Sequence, residues 1–332
     1  MNGLPDKVVG CEAVNDHVAK PIPSTLWHYT SHAGLQGIIS SKRIWATEYR
    51  FLNDREEFLH AKELAQNLVD EEPEYIEEFP ARDSIRKAVA IAFNTGYLHQ
   101  ERLRVMVASF SEEGDQLSQW RGYANDSRGV SIGFDLRNIR PPSNIGTAVT
   151  FAPCLYKQAD KCALLKAIFA HYRDGLQDWW KSLVNTALER KRQGTATDPQ
   201  FGQKLVSERR EQLNAVLSEG HAALQFDILR SAPLLKNESF SEEKEWRLVL
   251  PWIASRGLPT IHPVEFRSTR DTLVPYIPFP LNSPGEEGPI SCKDLILGPG
   301  SHPSAEVGVN LFLQKERIQV LARRSQIPYR PT

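Results

Sequence analysis

The chain has 332 residues, of which 41% are hydrophobic, and this is enough to form a substantial core in one large domain or two. Its 40 basic and 41 acidic side chains leave a net charge of −1, so no global field attracts nucleic acid or an anionic membrane. The cysteines at positions 11, 154, 162 and 292 are widely spaced, which excludes a Cys-x-x-Cys zinc site and argues against a disulfide framework.

The N-terminal residues contain no basic segment followed by an apolar stretch, and no part of the chain approaches about 18 uninterrupted apolar residues. We therefore expect a cytoplasmic protein that does not enter a membrane. Residues 1–23 contain Pro21 and Pro23 and show little periodicity, so we expect an N-terminal arm there and a single domain over 24–332.

In chain order, the pattern first predicts a strand from Leu26 to Tyr29 and a helix that is capped by Ser31 and runs to about Ser40. Residues 55–103 are predicted to be largely helical, and a last helix covers 304–315. Two long apolar stripes at helical spacing predict a helical hairpin over about 158–232. Extended segments are predicted at 105–111, 129–134, 245–251, 260–261, 273–277, 295–298 and 318–320. The sequence therefore predicts an α+β fold with the hairpin inserted between strands.

Polar side chains emerge at two places from predicted strands. His28, Tyr29 and Thr30 lie where a strand gives way to a helix, a layout that favours a binding site. The alternative is a core histidine whose ring nitrogens are bound by backbone groups. Strand alternation also points Ser109 and Ser111 to one face, although a Ser-x-Ser pattern alone predicts no chemistry.

Two further groups combine aromatic and charged side chains. Trp120 and Tyr123 are one helical turn apart and would form a platform for a flat ring, unless they are a core aromatic pair. Glu243, Glu245 and Arg247 share one face at the edge of a predicted strand. Acid and base on one face suit catalysis, whereas a solvated strand face is the alternative.

The polar turn that contains Asn53 and Asp54 precedes a predicted helix, and either residue most simply caps that helix. Several histidines lie near carboxylates in this part of the chain, but no His-Glu-x-x-His spacing occurs. We therefore expect no metal site.

Taken together, these motifs resemble the bacterial DUF2971 proteins over most of residues 26–330. The motifs that carry the resemblance are His-Tyr-Thr at 28, Asn-Asp-Arg-Glu at 53, Ser-Phe-Ser at 109, Gln-Trp-Arg-Gly-Tyr-Ala at 119, Gly-Val-Ser-Ile-Gly-Phe-Asp at 129 and Glu-x-Glu-x-Arg at 243. The family name itself implies no activity.

The first strand and helix also resemble, more distantly, ADP-ribosyltransferase-like proteins, including toxins that modify DNA bases. That resemblance implies a split, mixed or antiparallel sheet around an NAD cleft, with flanking helices and the hairpin as an insertion. It implies that His28 hydrogen-bonds the adenosine ribose, that Trp120 or Tyr123 stacks on nicotinamide, and that Glu245 is the catalytic glutamate with Glu243 as its accessory partner. The other residues expected to contact NAD are Tyr29, Thr30, Asn53, Ser109, Ser111, Arg121 and Arg247.

Cleavage of the nicotinamide–ribose bond develops oxocarbenium character at the anomeric carbon, and a carboxylate beside the ribose stabilises that charge. Glu245 is the candidate. Arg247, Arg121 or Arg50 would bind the pyrophosphate, because neither common glycine-rich phosphate loop occurs.

The expected activity is ADP-ribosyl transfer from NAD to a protein or nucleic-acid acceptor, and the resemblance fits a toxin or defence role. An NAD glycohydrolase and a non-catalytic nucleotide-binding sensor are the alternatives. The basic residues Arg190, Lys191 and Arg192 in the hairpin are a weak indication of a nucleic-acid acceptor.

Overall fold

The computed structural model describes residues 11–52, 55–76, 79–93, 103–139, 149–192, 217–218, 220–253, 264–269, 271–282 and 290–329. These residues belong to two compact units. The helical unit comprises residues 1–17, 56–100 and 157–235, and the sheet unit comprises 18–55, 101–156 and 236–332. The predicted α+β class is confirmed, with a mixed open sheet and flanking helices. None of the described helices is long and apolar enough to span a membrane.

The helical unit contains five helices among its described residues. They are α1 (Glu12–Val18), α3 (Arg55–Val69), α4 (Ala81–Phe93), α6 (Gln158–Arg192) and α7 (220–231). Helix α1 lies within the predicted N-terminal arm, and Val14 is fully buried. The long α6 agrees with the first helix of the predicted hairpin, and α7 agrees with the end of the second. Residues 193–216 between them lie outside the described residues.

Among its described residues, the sheet unit contains α2 (His32–Ser41), α5 (Leu117–Tyr123), α8 (Ala305–Lys315) and ten strands. The strands are β1 (Leu26–Thr30), β2 (Arg43–Glu48), β3 (Leu103–Ser111), β4 (Val130–Phe134), β5 (Thr150–Pro153), β6 (Glu245–Ile253), β7 (Glu265–Ser268), β8 (Leu273–Pro280), β9 (Cys292–Leu297) and β10 (Arg323–Arg324). As predicted, Ser31 caps α2, because its hydroxyl accepts from the Gly34 N–H at 3.0 Å.

The sheet branches at β3. One edge of β3 pairs with β6 over its whole length, and β6 in turn pairs with β5. The other edge pairs with β2 at its middle and with β1 at its C-terminal end. Strands β4, β9 and β10 continue outward from β1, while β8 and β7 continue from β2. All of these pairs are antiparallel except β9 with β10. The sheet therefore divides between β1 and β2. The predicted relation of this sheet to the ADP-ribosyltransferase fold stays a prediction.

The two faces of the sheet have different neighbours. The core face carries Leu26, Phe110 and Trp246 and packs against apolar side chains of α2 and α8. The opposite face, here the α5 face, carries Tyr29, which packs against Trp120 of α5. Alternation along each strand assigns every residue of the candidate site to one of these two faces.

Some strands differ from the sequence prediction. Strands β2, β5 and β7 were not predicted, because β5 and β7 have only four residues each and β2 lacks a clear apolar alternation. The prediction of a strand at 318–320 is wrong: the Ile318 N–H donates to the Leu313 carbonyl at 2.9 Å and so completes the end of α8. The sheet pairing falls instead on β10, three residues later. The predicted strand at 260–261 lies outside the described residues.

Candidate functional site

A buried network of ion pairs surrounds the two predicted catalytic glutamates. The Lys236 ammonium lies 2.6 Å from an oxygen of Glu243 and 2.6 Å from Glu245 Oε2. The Arg247 guanidinium donates to the same Glu245 carboxylate, with Nε 2.7 Å from Oε1 and Nη2 2.9 Å from Oε2. All four side chains are buried, and Lys236 is fully inaccessible to solvent. Two cations therefore balance two anions inside the protein.

The backbone at the start of β6 fixes the position of Glu245. Its N–H donates to the Tyr156 hydroxyl at 2.7 Å, and its carbonyl accepts from the Cys154 N–H at 2.8 Å. Burial by itself would raise the pKa of the Glu245 carboxyl, but the adjacent Arg247 and Lys236 outweigh burial and lower this pKa to about 2. Glu245 is therefore ionised at neutral pH, and both of its oxygens are occupied by cationic partners.

Glu243 belongs to a 3₁₀-helix (Glu238–Glu243) rather than to the strand. Lys244 follows with a left-handed backbone, φ 41°, and this turn brings both carboxylates onto Lys236. Lys236 was not identified from the sequence. The only signal was a single lysine directly after the apolar pair Leu234-Leu235, which alone does not predict an ion network.

Ser111 connects this network to the loop that follows β3. Its hydroxyl donates to the Glu243 carbonyl at 2.7 Å and accepts from the Glu113 N–H at 3.0 Å. Ser109 is less buried than Ser111, and it contacts His28 through its backbone carbonyl rather than through its hydroxyl. The Ser111 hydroxyl therefore links the residue two positions before Glu245 to the loop that follows β3.

His28 is held through one ring nitrogen. Its Nδ1 lies 2.9 Å from the Ser109 carbonyl oxygen, and because a carbonyl only accepts, Nδ1 carries the proton. Burial lowers the pKa of the His28 imidazole, although the bond to Ser109 partly opposes this shift. The neutral ring then presents Nε2 as an acceptor, and the structure gives Nε2 no hydrogen-bond partner among the described residues.

The structure places His28 and Glu245 on opposite faces of the sheet. Trp27 pairs with Ser111, and Ser111 pairs with Glu245, so these three side chains project from the α5 face. His28 therefore projects from the core face, as its ring contact with Phe110 at 5.8 Å agrees. The two residues expected to share one NAD cleft are not brought together by this register.

The predicted aromatic platform lies on the α5 face. Trp120 is fully buried, packs edge-on against Tyr29 at 4.8 Å and donates its indole N–H to Asp115 at 2.7 Å. The half-buried Tyr123 packs against the same cluster. The Tyr29 hydroxyl donates to the Glu113 carbonyl and accepts from the Gln116 N–H. This arrangement agrees with the core aromatic alternative more closely than with an open stacking surface.

The remaining predicted contacts are dispersed. Arg50 forms an ion pair with buried Glu48, with Nε 2.8 Å from Oε1. Arg121 is an exposed residue of α5, and its guanidinium carbon lies 4.7 Å from the centre of the Tyr329 ring. Thr30 packs so closely against Gly34 that a Cβ added at Gly34 would lie 2.0 Å from the Thr30 hydroxyl oxygen. Asn53 lies outside the described residues, so its predicted role as a helix cap or NAD contact stays a prediction.

Glu112 is a carboxylate on the same face as His28 that sequence reasoning missed. It is exposed, and Trp246 of the core face donates its indole N–H to Glu112 Oε1 at 2.7 Å. Glu112 directly follows β3, and its contact with Trp246 places it on the core face, where His28 also lies. The available sequence signal for Glu112 was its spacing of two residues from Phe110, which puts both side chains on one face of an extended segment. Only the pairing of β1 with β3 shows that His28 lies on the same face.

No group of three potential metal ligands occurs among the described residues. A family model described as a protein of unknown function, DUF2971, matches residues 119–248. The matched segment runs from α5 into β6 and includes Glu243, Glu245 and Arg247, which supports the resemblance to this family. No curated protein and no solved structure matches the chain. The comparisons therefore support the family without adding an activity.

Proposed function

We propose that this protein is an NAD-dependent ADP-ribosyltransferase that acts on a protein or nucleic-acid acceptor. The observation that carries the proposal is the state of His28. Its Nδ1 proton is committed to the Ser109 carbonyl, so Nε2 is an acceptor suited to a ribose hydroxyl. The resemblance to ADP-ribosyltransferase-like proteins assigns the same task to this histidine.

The reaction transfers an ADP-ribosyl group without a redox step. The bond between the ribose C1′ and the nicotinamide nitrogen breaks, and its electron pair leaves with nicotinamide. The ribose then carries oxocarbenium charge until an acceptor nucleophile bonds to C1′ and loses its proton. A carboxylate near C1′ stabilises this charge because electrostatic stabilisation is strongest where charge develops.

Glu112 and Glu245 are the two candidates for that carboxylate. Glu245 is ionised, but Arg247 and Lys236 occupy its oxygens on the face opposite His28. Glu112 is exposed, is oriented by the Trp246 indole and lies on the same face as His28. These contacts favour Glu112 for direct contact with the ribose and give Glu245 the role of holding the start of β6.

Nicotinamide release from NAD by the full chain tests the proposal, with and without a cell lysate as the source of acceptor. We expect lysate-stimulated release, a loss of about a hundredfold in Glu112→Gln, and a loss in His28→Ala. Glu71→Gln is the control, because it removes an exposed glutamate whose ion pair lies in the helical unit.

Glu245→Gln separates the two candidates when activity is expressed per folded molecule. Retained activity in Glu245→Gln, with loss in Glu112→Gln, assigns the carboxylate to Glu112, and the reverse pattern assigns it to Glu245. Release without lysate indicates a glycohydrolase instead. If the wild type releases no nicotinamide in either condition, the proposed activity is wrong.

A further inference from the structure

The loop that joins β3 to α5, residues 112–116, is fastened to β1 by the side chain of Tyr29. The Tyr29 hydroxyl donates to the Glu113 carbonyl at 2.8 Å and accepts from the Gln116 N–H at 3.1 Å. Burial raises the pKa of this hydroxyl, so it keeps its proton at neutral pH and remains a donor. One buried side chain of β1 therefore holds the loop backbone at two points.

Trp27, the residue before His28, contacts the same loop. Gly114 packs so closely against the indole of Trp27 that a Cβ added at Gly114 would overlap the ring. Side chains alternate along β1, so Trp27 and Tyr29 contact the loop from the α5 face while His28 projects from the core face. Both sequence neighbours of His28 thus take part in holding this loop.

Glu112, the first residue of the loop, lies on the core face, where its carboxylate accepts from the Trp246 indole. The next residue, Glu113, gives its carbonyl to Tyr29. The loop therefore passes from the core face to the α5 face within two residues. The hydrogen bond between Tyr29 and Glu113 joins the residue after His28 to the residue after Glu112.

We propose that Tyr29 is a positioning residue that fixes the Glu112 carboxylate relative to the His28 ring. The inference rests on the proposed function, in which His28 binds a ribose hydroxyl and Glu112 stabilises charge at C1′. It gives Tyr29 a task other than the NAD contact expected from the sequence, because the loop backbone already occupies its proton. Groups that act on one sugar must be held precisely, since an error of about 1 Å can cost roughly a hundredfold in rate.

Tyr29→Phe tests the inference, because it removes the hydroxyl and keeps a ring against Trp120. We expect kcat for nicotinamide release, per folded molecule, to fall about tenfold while KM changes less than about twofold, because Glu112 acts on charge that develops in the transition state. Tyr172→Phe is the matched control, since it removes a buried hydroxyl that lies 3.0 Å from Ser84 Oγ in the helical unit. We expect a comparable loss of Tm in the control and an unchanged kcat.

Two further variants separate positioning from a general loss of structure. Gly114→Ala displaces the loop from the Trp27 side, so it should also lower kcat, and it keeps the test valid if Tyr29→Phe fails to fold. In the double variant Tyr29→Phe/Glu112→Gln, we expect no decrease beyond that of Glu112→Gln, since Tyr29 acts through Glu112. A purely structural effect would multiply with the loss caused by Glu112→Gln.

Three results would overturn the inference. If the wild type releases no nicotinamide, the proposed function is wrong and the role of Tyr29 falls with it. If the wild type is active but Tyr29→Phe retains its kcat, the role of Tyr29 alone is wrong, and an increase in KM would then indicate direct contact with NAD. Losses that multiply in the double variant would likewise exclude action through Glu112 and leave the proposed function intact.

Discussion

The Lys236 ammonium lies 2.6 Å from Glu245 Oε2, and both side chains are buried. Glu243 and Arg247 complete the group, so each charge has an opposite partner. Desolvation of an ion is costly, and only such close pairing and additional hydrogen bonds offset that cost. The network therefore depends on all four members, and removal of one leaves a buried charge without compensation.

Lys236→Met is expected to lower the free energy of unfolding by about 3–5 kcal/mol, because the Glu243 and Glu245 carboxylates lose their shared cation. Urea denaturation measures this change. Lys244→Met is the matched control, because Lys244 forms an exposed pair with Glu113 and its loss should matter little. Equal losses in the two variants would contradict a special role for the buried pairs.

The free energy of unfolding is expected to fall in acid, because the Glu245 carboxylate becomes protonated there. Its pKa is about 2 in the folded protein and 4.5 in its reference state, so the folded state favours the ionised form. The resulting stabilisation is complete above about pH 4.5 and is lost as pH falls toward 2. It amounts to about 3 kcal/mol.

Denaturation at a series of pH values measures this dependence. Glu245→Gln should be less stable than the wild type at neutral pH and should show a flatter profile between pH 4.5 and 2. Parallel profiles for the two proteins would show that another group causes the acid sensitivity.

The two serines at the end of β3 are expected to differ in their contributions to stability. Ser111→Ala removes bonds to the Glu243 carbonyl and the Glu113 N–H in a buried setting, so we expect a loss of about 1–3 kcal/mol. Ser109→Ala is the control, since Ser109 holds His28 through a backbone carbonyl that the substitution retains. Thermal unfolding of both variants gives the comparison, and a larger loss in Ser109→Ala would contradict it.

Trp246→Phe tests how Glu112 is positioned for the proposed reaction. The substitution keeps an aromatic ring in the core but removes the indole N–H that lies 2.7 Å from Glu112 Oε1. If Glu112 contacts the ribose, we expect about a tenfold decrease in kcat/KM for nicotinamide release.

Trp45→Phe is the control for this change, because Trp45 is partly exposed and lies on β2. If Trp246 acts through Glu112, adding Trp246→Phe to Glu112→Gln should cause no further decrease in kcat/KM. Additive losses in the double variant would contradict it.

Local features of this fold were predictable because they depend on neighbouring residues. The apolar run at Leu26, the N-cap at Ser31 and the long stripe of α6 each specify structure within a few residues. The predicted strands that became β3, β4 and β6 follow from the same local periodicity. The polar group at Glu243, Glu245 and Arg247 was also identified from its spacing.

Strand pairing and burial were decided by contacts between distant parts of the chain. The sequence alone did not determine that Trp27, Ser111 and Glu245 form one row, which places His28 on the other face. It also did not reveal Lys236 as the cation shared by two glutamates.

The physical reason is that periodicity assigns a side chain to a face only relative to its own strand. Which side chains share a face across strands depends on register, and register is fixed by packing over the whole sheet. The sequence by itself therefore identified His28 and Glu245 as candidates for a site, but neither Lys236 nor Glu112. Only the tertiary structure separated Glu245, saturated by buried cations, from Glu112, which is exposed on the same face as His28.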